Sequence, residues 1–365
     1  MSLLRKLLKA DWGAITRGFY DYNIAHRYHS LPPRQVVVDV TYRCNARCLM
    51  CNIWRTGGRD ELSREALVAA MDGRVCAHLE RLMISGGEPF LRSDLVALID
   101  DLMVRMPHLQ VLSVITNGLS PDRILAGAEE IVQRCKQRGV QLSFSVSLDG
   151  VGDVHDRIRN VPGAFDRTQE TALRLKELGD QHGFFVGVGC VICRLNLGEL
   201  GKLRAWGDEH NIPIGFQIIG FHETYVDNLS QQANLDFREE DRPALYALLQ
   251  ELASERALGN FMAYYWRDML HMYRDGTPRQ TPCPFAIESF VLDAQGNVRY
   301  CETTKNIGNC VRDGTCSDIY YRPENLTYRR SMWTHSCPVC NSGCLVNVGL
   351  RKQVTRHLAY ALFGF

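Results

Sequence analysis

Three cysteines in one short segment constrain this chain more than any other feature. Cys44, Cys48 and Cys51 have the spacing C-x3-C-x2-C and follow the β-branched run Val36–Val40, which predicts a strand. The spacing is typical of iron–sulfur ligand loops, and no neighbouring Cys or His supplies the fourth ligand that structural zinc requires. We therefore predict an iron–sulfur cluster with one iron open to another ligand.

A second motif, Ser85-Gly86-Gly87-Glu88-Pro89, ends the strand-like run Leu82–Ser85. Glycines let backbone approach a ligand, and a carboxylate suits an amino group. Together with the cysteine segment it resembles the radical S-adenosylmethionine (SAM) superfamily, over about Gln35 to Gly220. The resemblance implies a [4Fe-4S] cluster whose open iron chelates SAM, with Gly86, Gly87 and Glu88 at the methionine amino group. One electron would then cleave SAM to methionine and a 5′-deoxyadenosyl radical.

Short β-rich runs alternate with helical patterns through the middle of the chain, which predicts a parallel sheet. The resemblance implies an α/β fold, a partial (β/α)6 barrel like part of a TIM barrel, and the six strand-like runs match that number. The candidates then follow the carboxyl ends of strands, where such barrels carry their sites. The strand-like runs are Val36–Val40, Leu82–Ser85, Val111–Ile115, Leu142–Leu148, Phe184–Ile192 and Gly215–Ile219; the helical patterns are Arg64–Val75, Ser93–Met106, Asp122–Arg138, Asp166–His182 and Leu197–His210.

Further SAM-binding candidates come from the resemblance alone. It places Ser145, Ser147 or Asp149 near the ribose and methionine of SAM, Arg159 opposite its carboxylate, and Gly189–Asn196 along the adenine. Asn117 follows the third strand and belongs to the same set. The alternatives are ordinary: Asn-Gly and Asp-Gly form turns, and an arginine can be a surface charge or a helix partner.

Two cysteines near the fifth strand form a C-x2-C pair. Residues three apart on a strand point to opposite faces, so Cys190 and Cys193 are not expected to clasp one ion. Cys193 is a speculative catalytic hydrogen-atom donor to a substrate radical, against the simpler interpretation of a packed thiol. Cys76 and Cys135 fall in helical patterns and receive no function.

A second group of cysteines lies in the last third of the chain, with a predicted hairpin and the segment Gly296-x4-Cys301 among them. It resembles the SPASM/Twitch extension of the superfamily, which implies one auxiliary [4Fe-4S] cluster. The alternative is a zinc knuckle. Cys310 and Cys316 are not expected to be ligands. The expected ligands are Cys283, Cys301 and Cys340, with Cys337 and Cys344 competing for the fourth place.

Composition favours a cytoplasmic enzyme. The formal net charge of +1 gives no basic field for nucleic acid, and 14 cysteines without a secretory signal indicate a reducing compartment. Amphipathic spacing at both ends predicts helices that dock on the barrel, or alternatively contact a membrane surface. The expected organisation is a 1–33 amphipathic segment, a 34–222 radical SAM core, a 223–280 helical linker, a 281–348 extension and a 349–365 amphipathic helix.

The predicted function is a radical SAM oxidoreductase or transformase. It would abstract hydrogen from a small-molecule substrate, sugar-like or lipid-linked, or from a peptide, for oxidation, epimerisation or bond formation. An electron donor such as flavodoxin or ferredoxin would be its partner. The competing hypothesis is a non-catalytic iron–sulfur or zinc protein, a redox sensor or scaffold. The aromatic and titratable residues of the linker are interpreted mainly as a solvated helical face, with some lining a substrate mouth.

Overall fold

The computed structural model describes residues 12–254, 262–281, 283–344 and 346–351. The chain forms two compact units. The sheet unit comprises Pro32–Asp241 and Ser289–Asn325, and the helical unit comprises Met1–Leu31, Arg242–Glu288 and Leu326–Phe365. This division separates the predicted 281–348 extension at Glu288 and again at Asn325, because its hairpin belongs to the sheet unit.

The sheet unit contains a nine-stranded sheet in the order β6-β5-β4-β3-β2-β1-β7-β8-β9. Strands β1 to β6 are parallel neighbours, β7 pairs parallel with the other side of β1, and β8 and β9 continue antiparallel. The strands are β1 Gln35–Asp39, β2 Arg81–Ser85, β3 Val111–Thr116, β4 Gln141–Ser147, β5 Phe185–Ile192, β6 Ile214–Ile218, β7 Ser289–Leu292, β8 Asn297–Arg299 and β9 Gly308–Asn309. The sheet is open, with β6 and β9 at its edges.

Helices cross between the parallel strands. Proline begins the helix Pro121–Arg138, and Gly139 ends it with a φ of +67°, a conformation that glycine adopts without a Cβ penalty. The α-helices of this unit are Arg64–Ala70, Gly73–Cys76, Leu95–Arg105, Pro121–Arg138, Asp153–Arg159, Ala164–His182, Leu200–Glu209, Gln232–Leu235 and Cys316–Tyr320, with Pro323–Met332 running on from it into the helical unit. Short 3-10 turns lie at Ile53–Arg55, Pro89–Leu91, Leu197–Glu199, Leu229–Gln231 and Glu239–Asp241.

The six predicted barrel strands are confirmed, each within one residue at both ends. The predicted helix Arg64–Val75 instead forms two helices. Asp72 caps the second of them by accepting a hydrogen bond from the N–H of Val75 at 3.4 Å, which interrupts the first. The predicted hairpin is also present, but β7 extends the barrel sheet through β1 rather than beginning a sheet of its own.

The two faces of the central strands differ. Wholly buried residues such as Ile84, Val114 and Val146 alternate with half-buried ones. The half-buried positions include Ser85 on β2 and Ser113 on β3, and every such position of β4 is a serine: Ser143, Ser145 and Ser147. Because side chains alternate along a strand, these serines share one face. On β4 this inner face is polar, whereas Met83 and Ile115 share it on β2 and β3; the opposite face is apolar and packs on the helices.

The helical unit joins distant segments through a few buried polar contacts. Tyr22 donates a hydrogen bond to Glu288 at 2.8 Å, and Arg329 and Trp333 both donate to the carbonyl of Ala286 at 3.0 Å. Its α-helices are Trp12–Tyr20, His26–Tyr28, Arg242–Ser254, Met262–Asp275, Phe285–Glu288 and Val346–Arg351, with a π-helical turn at Asp21–Ala25.

One interpretation of the linker is wrong. Tyr264, Tyr265 and Trp266 do not form a solvated face, since all three are buried in the helix Met262–Asp275. Most of the two predicted terminal helices, residues 1–11 and 352–365, lies outside the described residues. In the part of the chain that is described, the helices are too short or too polar to cross a membrane.

Candidate functional site

The cysteine loop (residues 44–51) is fixed first to the end of β2. Backbone pairing continues past both strands, where the N–H of Val40 donates to Ser85, that of Gly87 to Thr41 and that of Glu88 to Arg43, at 2.7–3.0 Å. This pairing holds Cys44 beside the Gly86–Glu88 motif, as the parallel register predicts.

The two glycines are required by this close approach. A Cβ on Gly86 would lie 2.4 Å from the carbonyl oxygen of Thr41, and one on Gly87 would lie 2.3 Å from that of Arg43. Gly86 also has a φ of +129°, which L side chains rarely adopt. The glycines thus allow the motif to pack against the cysteine loop, a reason that the sequence analysis did not identify.

Two further segments hold the rest of the loop. The N–H of Leu49 donates to the carbonyl of Ile158 at 2.9 Å, at the end of the helix Asp153–Arg159. On the other side, the Asn228 amide donates to the carbonyl of Met50 at 3.0 Å and to that of Gly220 at 2.9 Å. Asn228 is almost wholly buried. Sequence reasoning missed it, because a lone asparagine in a loop carries no local signal.

The loop thiols are half-buried and have few polar partners. Cys44 accepts from the N–H of Ala46 at 3.4 Å and from Asn117 at 3.6 Å, and Cys48 accepts from Arg159 at 3.7 Å. Burial raises the pKa of Cys44 to about 11 and that of Cys51 to about 12. Such thiols become thiolates when a cationic group binds them, so the donor set fits an iron–sulfur cluster. Within the described residues, no three His, Cys, Asp or Glu side chains surround a single-ion position.

Glu88 points into the protein. Its carboxylate is wholly buried and accepts hydrogen bonds from Thr116 at 2.9 and 3.0 Å, from the N–H of Asn117 at 2.7 Å and from the N–H of Phe90 at 3.2 Å. Burial raises its pKa to about 7. Glu88 therefore fastens the end of β3, and Asn117 with it, to the motif after β2.

Asp149 and Arg159 meet at the end of β4. Their side chains form an ion pair at 2.7 Å, with Asp149 wholly buried, and Asp149 also accepts from the N–H of Val191 at 2.9 Å. The N–H of Asp149 donates to His155, whose pKa burial lowers to about 2. Because the guanidinium also reaches Cys48, Arg159 links the fourth strand to the cysteine loop.

The polar inner face of β4 borders a space that glycine keeps open. Ser147 pairs with Gly189 across the sheet, and a Cβ on Gly189 would lie 3.2 Å from the Ser145 hydroxyl. On its other side Ser145 lies opposite Ile115, two residues before Asn117 at the end of β3. The predicted SAM-binding residues are thus brought to one edge of the sheet.

Cys193 lies just beyond β5, in an apolar cluster with Met50 and Ile158. It is wholly buried, and burial raises its pKa to about 11. The cluster packs against Cys48 and Cys51. Cys190, on the strand itself, is also buried. This environment is that of a packed thiol, and hydrogen donation by Cys193 stays a prediction.

Three of the C-terminal thiols gather in the helical unit. Burial raises the pKa of Cys337 to about 12, and the neighbouring Cys283 and Cys340 raise it further. Arg279 holds the 337–344 segment by donating to the carbonyls of Cys340 at 3.3 Å and Ser342 at 2.7 Å, and its charge acts on all three thiols. The group of Cys283, Cys337 and Cys340 is therefore built around one buried guanidinium.

The remaining two predicted ligands lie elsewhere. Cys344 follows this group along the same segment and affects the pKa of Tyr265, whose hydroxyl donates to the carbonyl of Asn341 at 2.6 Å. Cys301 follows β8 in the sheet unit, where its N–H donates to Thr304 at 3.1 Å. Its role as an auxiliary ligand stays a prediction.

The sheet unit also contains a cavity of about 630 Å³ bordered by the residues that follow Cys51. Arg299 at its floor forms ion pairs with Asp293 at 3.2 Å and with Asp39 and Glu302 at 3.4 Å. Burial raises the pKa of Glu302 to about 7. The cavity rim carries the exposed cations Arg55, Arg59 and Lys305 and the exposed carboxylates Glu223 and Asp227. Sequence reasoning missed this cluster, although a charged residue inside a strand such as β8 was a signal.

The part of the chain that carries the cysteine loop matches a known protein family. Residues 38–206 match the Radical SAM superfamily, and this part of the chain belongs to it. Relatives include Fe-coproporphyrin III synthase of Methanosarcina barkeri, 30% identical over 59% of this chain and 50% of that protein. Pre-heme d1 synthase of Dinoroseobacter shibae is 27% identical over 51% of this chain and 45% of that protein. The chain thus spans about half the length of the curated relatives it matches.

Solved structures share the fold. The chain resembles anSMEcpe with bound AdoMet, which is SAM, at a TM-score of 0.57 and 16% identity, over 90% of this chain and 98% of that chain. It also resembles Streptococcus suis SuiB bound to the precursor peptide SuiA, at a TM-score of 0.56 and 15% identity, over 88% of this chain and 74% of that chain. The predicted α/β, partially barrel-like fold is confirmed.

Proposed function

We propose that the chain is a radical SAM enzyme that holds a [4Fe-4S] cluster on Cys44, Cys48 and Cys51. The observation that carries the proposal is the convergence of these thiols with the ends of four parallel strands. When bound, the cluster and SAM supply a 5′-deoxyadenosyl radical that abstracts hydrogen from the substrate. An electron donor of the flavodoxin or ferredoxin class, in a reducing cytoplasm, belongs to the same proposal.

The protein groups around the loop have separate roles. Backbone carbonyls of the Gly86–Glu88 motif, with the amide of Asn117, form the polar wall for the methionine part of SAM, while Ser145 and Ser147 supply hydroxyls on the inner face of β4. Arg159 is paired with Asp149, and its guanidinium would also donate hydrogen bonds to the SAM carboxylate. Most of these groups are buried or half-buried, which excludes water from the site.

We propose an auxiliary cluster on Cys283, Cys337 and Cys340. Cys283 and Cys340 raise the pKa of Cys337, and the positive charge of Arg279 lowers it, so these four groups lie close together. Their proximity supports Cys337 over Cys344 as the ligand beside Cys340. A positive guanidinium stabilises thiolate-bound clusters, which carry net negative charge. Cys301 remains the ligand predicted by the resemblance alone.

For the substrate we propose a carboxylate-bearing small molecule in the cavity next to the cysteine loop. A volume of about 630 Å³ lies within the usual range for ligand sites, roughly 300–1,000 Å³. The buried Arg299 is already paired with Asp39, Asp293 and Glu302. Among the exposed rim groups the three cations Arg55, Arg59 and Lys305 outnumber the two carboxylates Glu223 and Asp227. Two relatives are named for haem-type tetrapyrroles, so a coproporphyrin is the first compound to test and a peptide the second.

The decisive experiment is anaerobic reconstitution with iron and sulfide, then SAM and dithionite, with chromatography for 5′-deoxyadenosine. We expect 5′-deoxyadenosine from the parent chain and none above background from Cys48→Ala. The matched control is Cys135→Ala, which removes a buried thiol on the helix Pro121–Arg138 and should keep the parent activity. Equal 5′-deoxyadenosine formation by Cys48→Ala and the parent chain would refute the proposal.

A further inference from the structure

Two cysteines outside the proposed site are in contact. Cys310 follows β9, Cys316 begins the helix Cys316–Tyr320, and their sulfur atoms are 3.7 Å apart. A disulfide needs about 2.0 Å, so modest side-chain rotations in both residues would have to close about 1.7 Å. Neither thiol has a role in the cluster chemistry proposed above.

The backbone around the two thiols is held in place from both ends. The N–H of Cys310 donates to the carbonyl of Gly296 at 2.7 Å, and that of Asn309 donates to Asp313 at 2.8 Å. At the other end, Thr315 and Asp318 form a capping box at the start of the helix. The short segment between the cysteines is therefore ordered by its own contacts, which keeps the sulfur atoms close.

A second helix, Gly73–Cys76, is hydrogen-bonded through its cap to the residues on either side of Cys316. Asp72 accepts hydrogen bonds from Thr315 at 3.0 Å and from Ser317, which ties the helix start to the cap of the helix Gly73–Cys76. Cys76 at the end of that helix is a third thiol near Cys316, and both are wholly buried. Cys310 differs because it is only half-buried and precedes Val311, which is 68% exposed. A reagent in solution therefore reaches Cys310 first.

We propose that Cys310 and Cys316 are a reversible dithiol–disulfide pair that reacts with hydrogen peroxide. The sulfur of Cys310 attacks one peroxide oxygen, the O–O bond breaks, and a sulfenic acid forms with release of water. The sulfur of Cys316 then displaces the sulfenic oxygen as a second water, so that two thiols and one peroxide give one disulfide and two waters. A dithiol reductant reverses the reaction. Cys310 is therefore the thiol that reacts with peroxide, and Cys316 is the resolving thiol.

The test uses the full-length, reconstituted chain. The chain is exposed anaerobically to equimolar hydrogen peroxide, and the remaining free thiols are blocked with N-ethylmaleimide. Trypsin then cleaves after Lys305 and after Arg312, and the second of these sites separates the two cysteines. We expect peptide 306–312 to be linked to the peptide that begins at residue 313, about tenfold more often than any other cysteine pair outside the cluster ligands. Dithiothreitol should remove the link.

Three variants sharpen the result. Cys310→Ser should abolish the link, while Cys135→Ser and Cys76→Ser should retain it. A link from Cys316 to Cys76 in place of Cys310, or full alkylation of both thiols in the peroxide-treated parent chain, would overturn the proposal. The parent-chain measurement decides the question even if a variant folds poorly, and it does not depend on SAM cleavage.

Discussion

Replacing Glu88 by glutamine tests whether this residue supports the site or contacts SAM. The carboxylate accepts hydrogen bonds through both oxygens, and one of these is from the N–H of Asn117 at 2.7 Å. A glutamine has only one oxygen, so one of the buried donors would face an amide NH2 group. We expect Glu88→Gln to loosen the end of β3.

The size of the effect follows from the unpaired donor. Leaving one buried polar group without its partner costs about 1–3 kcal/mol. At about 1.4 kcal/mol per factor of ten, local opening at residues 116–119 should become about 5- to 150-fold more frequent. Hydrogen exchange with mass spectrometry on peptides covering β3 measures this opening directly.

The matched control is Glu65→Gln. Its side chain is 76% exposed on the helix Arg64–Ala70, so the exchange at residues 116–119 should stay at the parent level. Unchanged exchange at residues 116–119 in Glu88→Gln, combined with weaker SAM binding, would refute the supporting role and favour direct contact with SAM.

The same substitution should change the pH dependence of stability. Burial raises the pKa of Glu88 from 4.5 to about 7, so the folded state binds a proton that the unfolded chain has released. The stabilising contribution is complete below pH 4.5 and is lost as the pH rises through 7. At about 1.4 kcal/mol per pH unit it amounts to about 3 kcal/mol. Urea unfolding midpoints between pH 5 and 8 should fall less steeply in Glu88→Gln than in the parent chain.

Three further predictions concern the metal centres and the ion pair. Replacing all three thiols of the cysteine loop by alanine should lower the iron content from roughly eight atoms per chain by about half, and unchanged iron in a colorimetric assay would exclude the loop as a cluster site. Cys337→Ser should remove most of the iron that remains in that variant, whereas Cys344→Ser should not; the opposite order would assign the ligand to Cys344. Arg159→Ala leaves the buried carboxylate of Asp149 unpaired and should cost about 3–5 kcal/mol in urea unfolding, against less than about 0.5 kcal/mol for the exposed Arg134→Ala.

Local sequence patterns determined much of the fold. The six strand-like runs of β1 to β6 are separated by long helical patterns, so their positions could be predicted within one residue. Because consecutive parallel strands place their carboxyl ends at one edge, the neighbourhood of Cys44, Gly86, Asn117 and Asp149 was also predictable. The spacing of the loop cysteines needs no tertiary information.

Only the tertiary structure decided which groups pair. Nothing local to Glu88 shows that its carboxylate turns inward to the end of β3, and Arg299 pairs with Asp39 from 260 residues away. The placement of β7 beside β1 has the same cause, since a short strand can extend any free sheet edge and its register depends on long-range packing. Local periodicity specifies which face of an element is apolar, whereas the partner of that face and of each buried charge depends on the packing of distant segments.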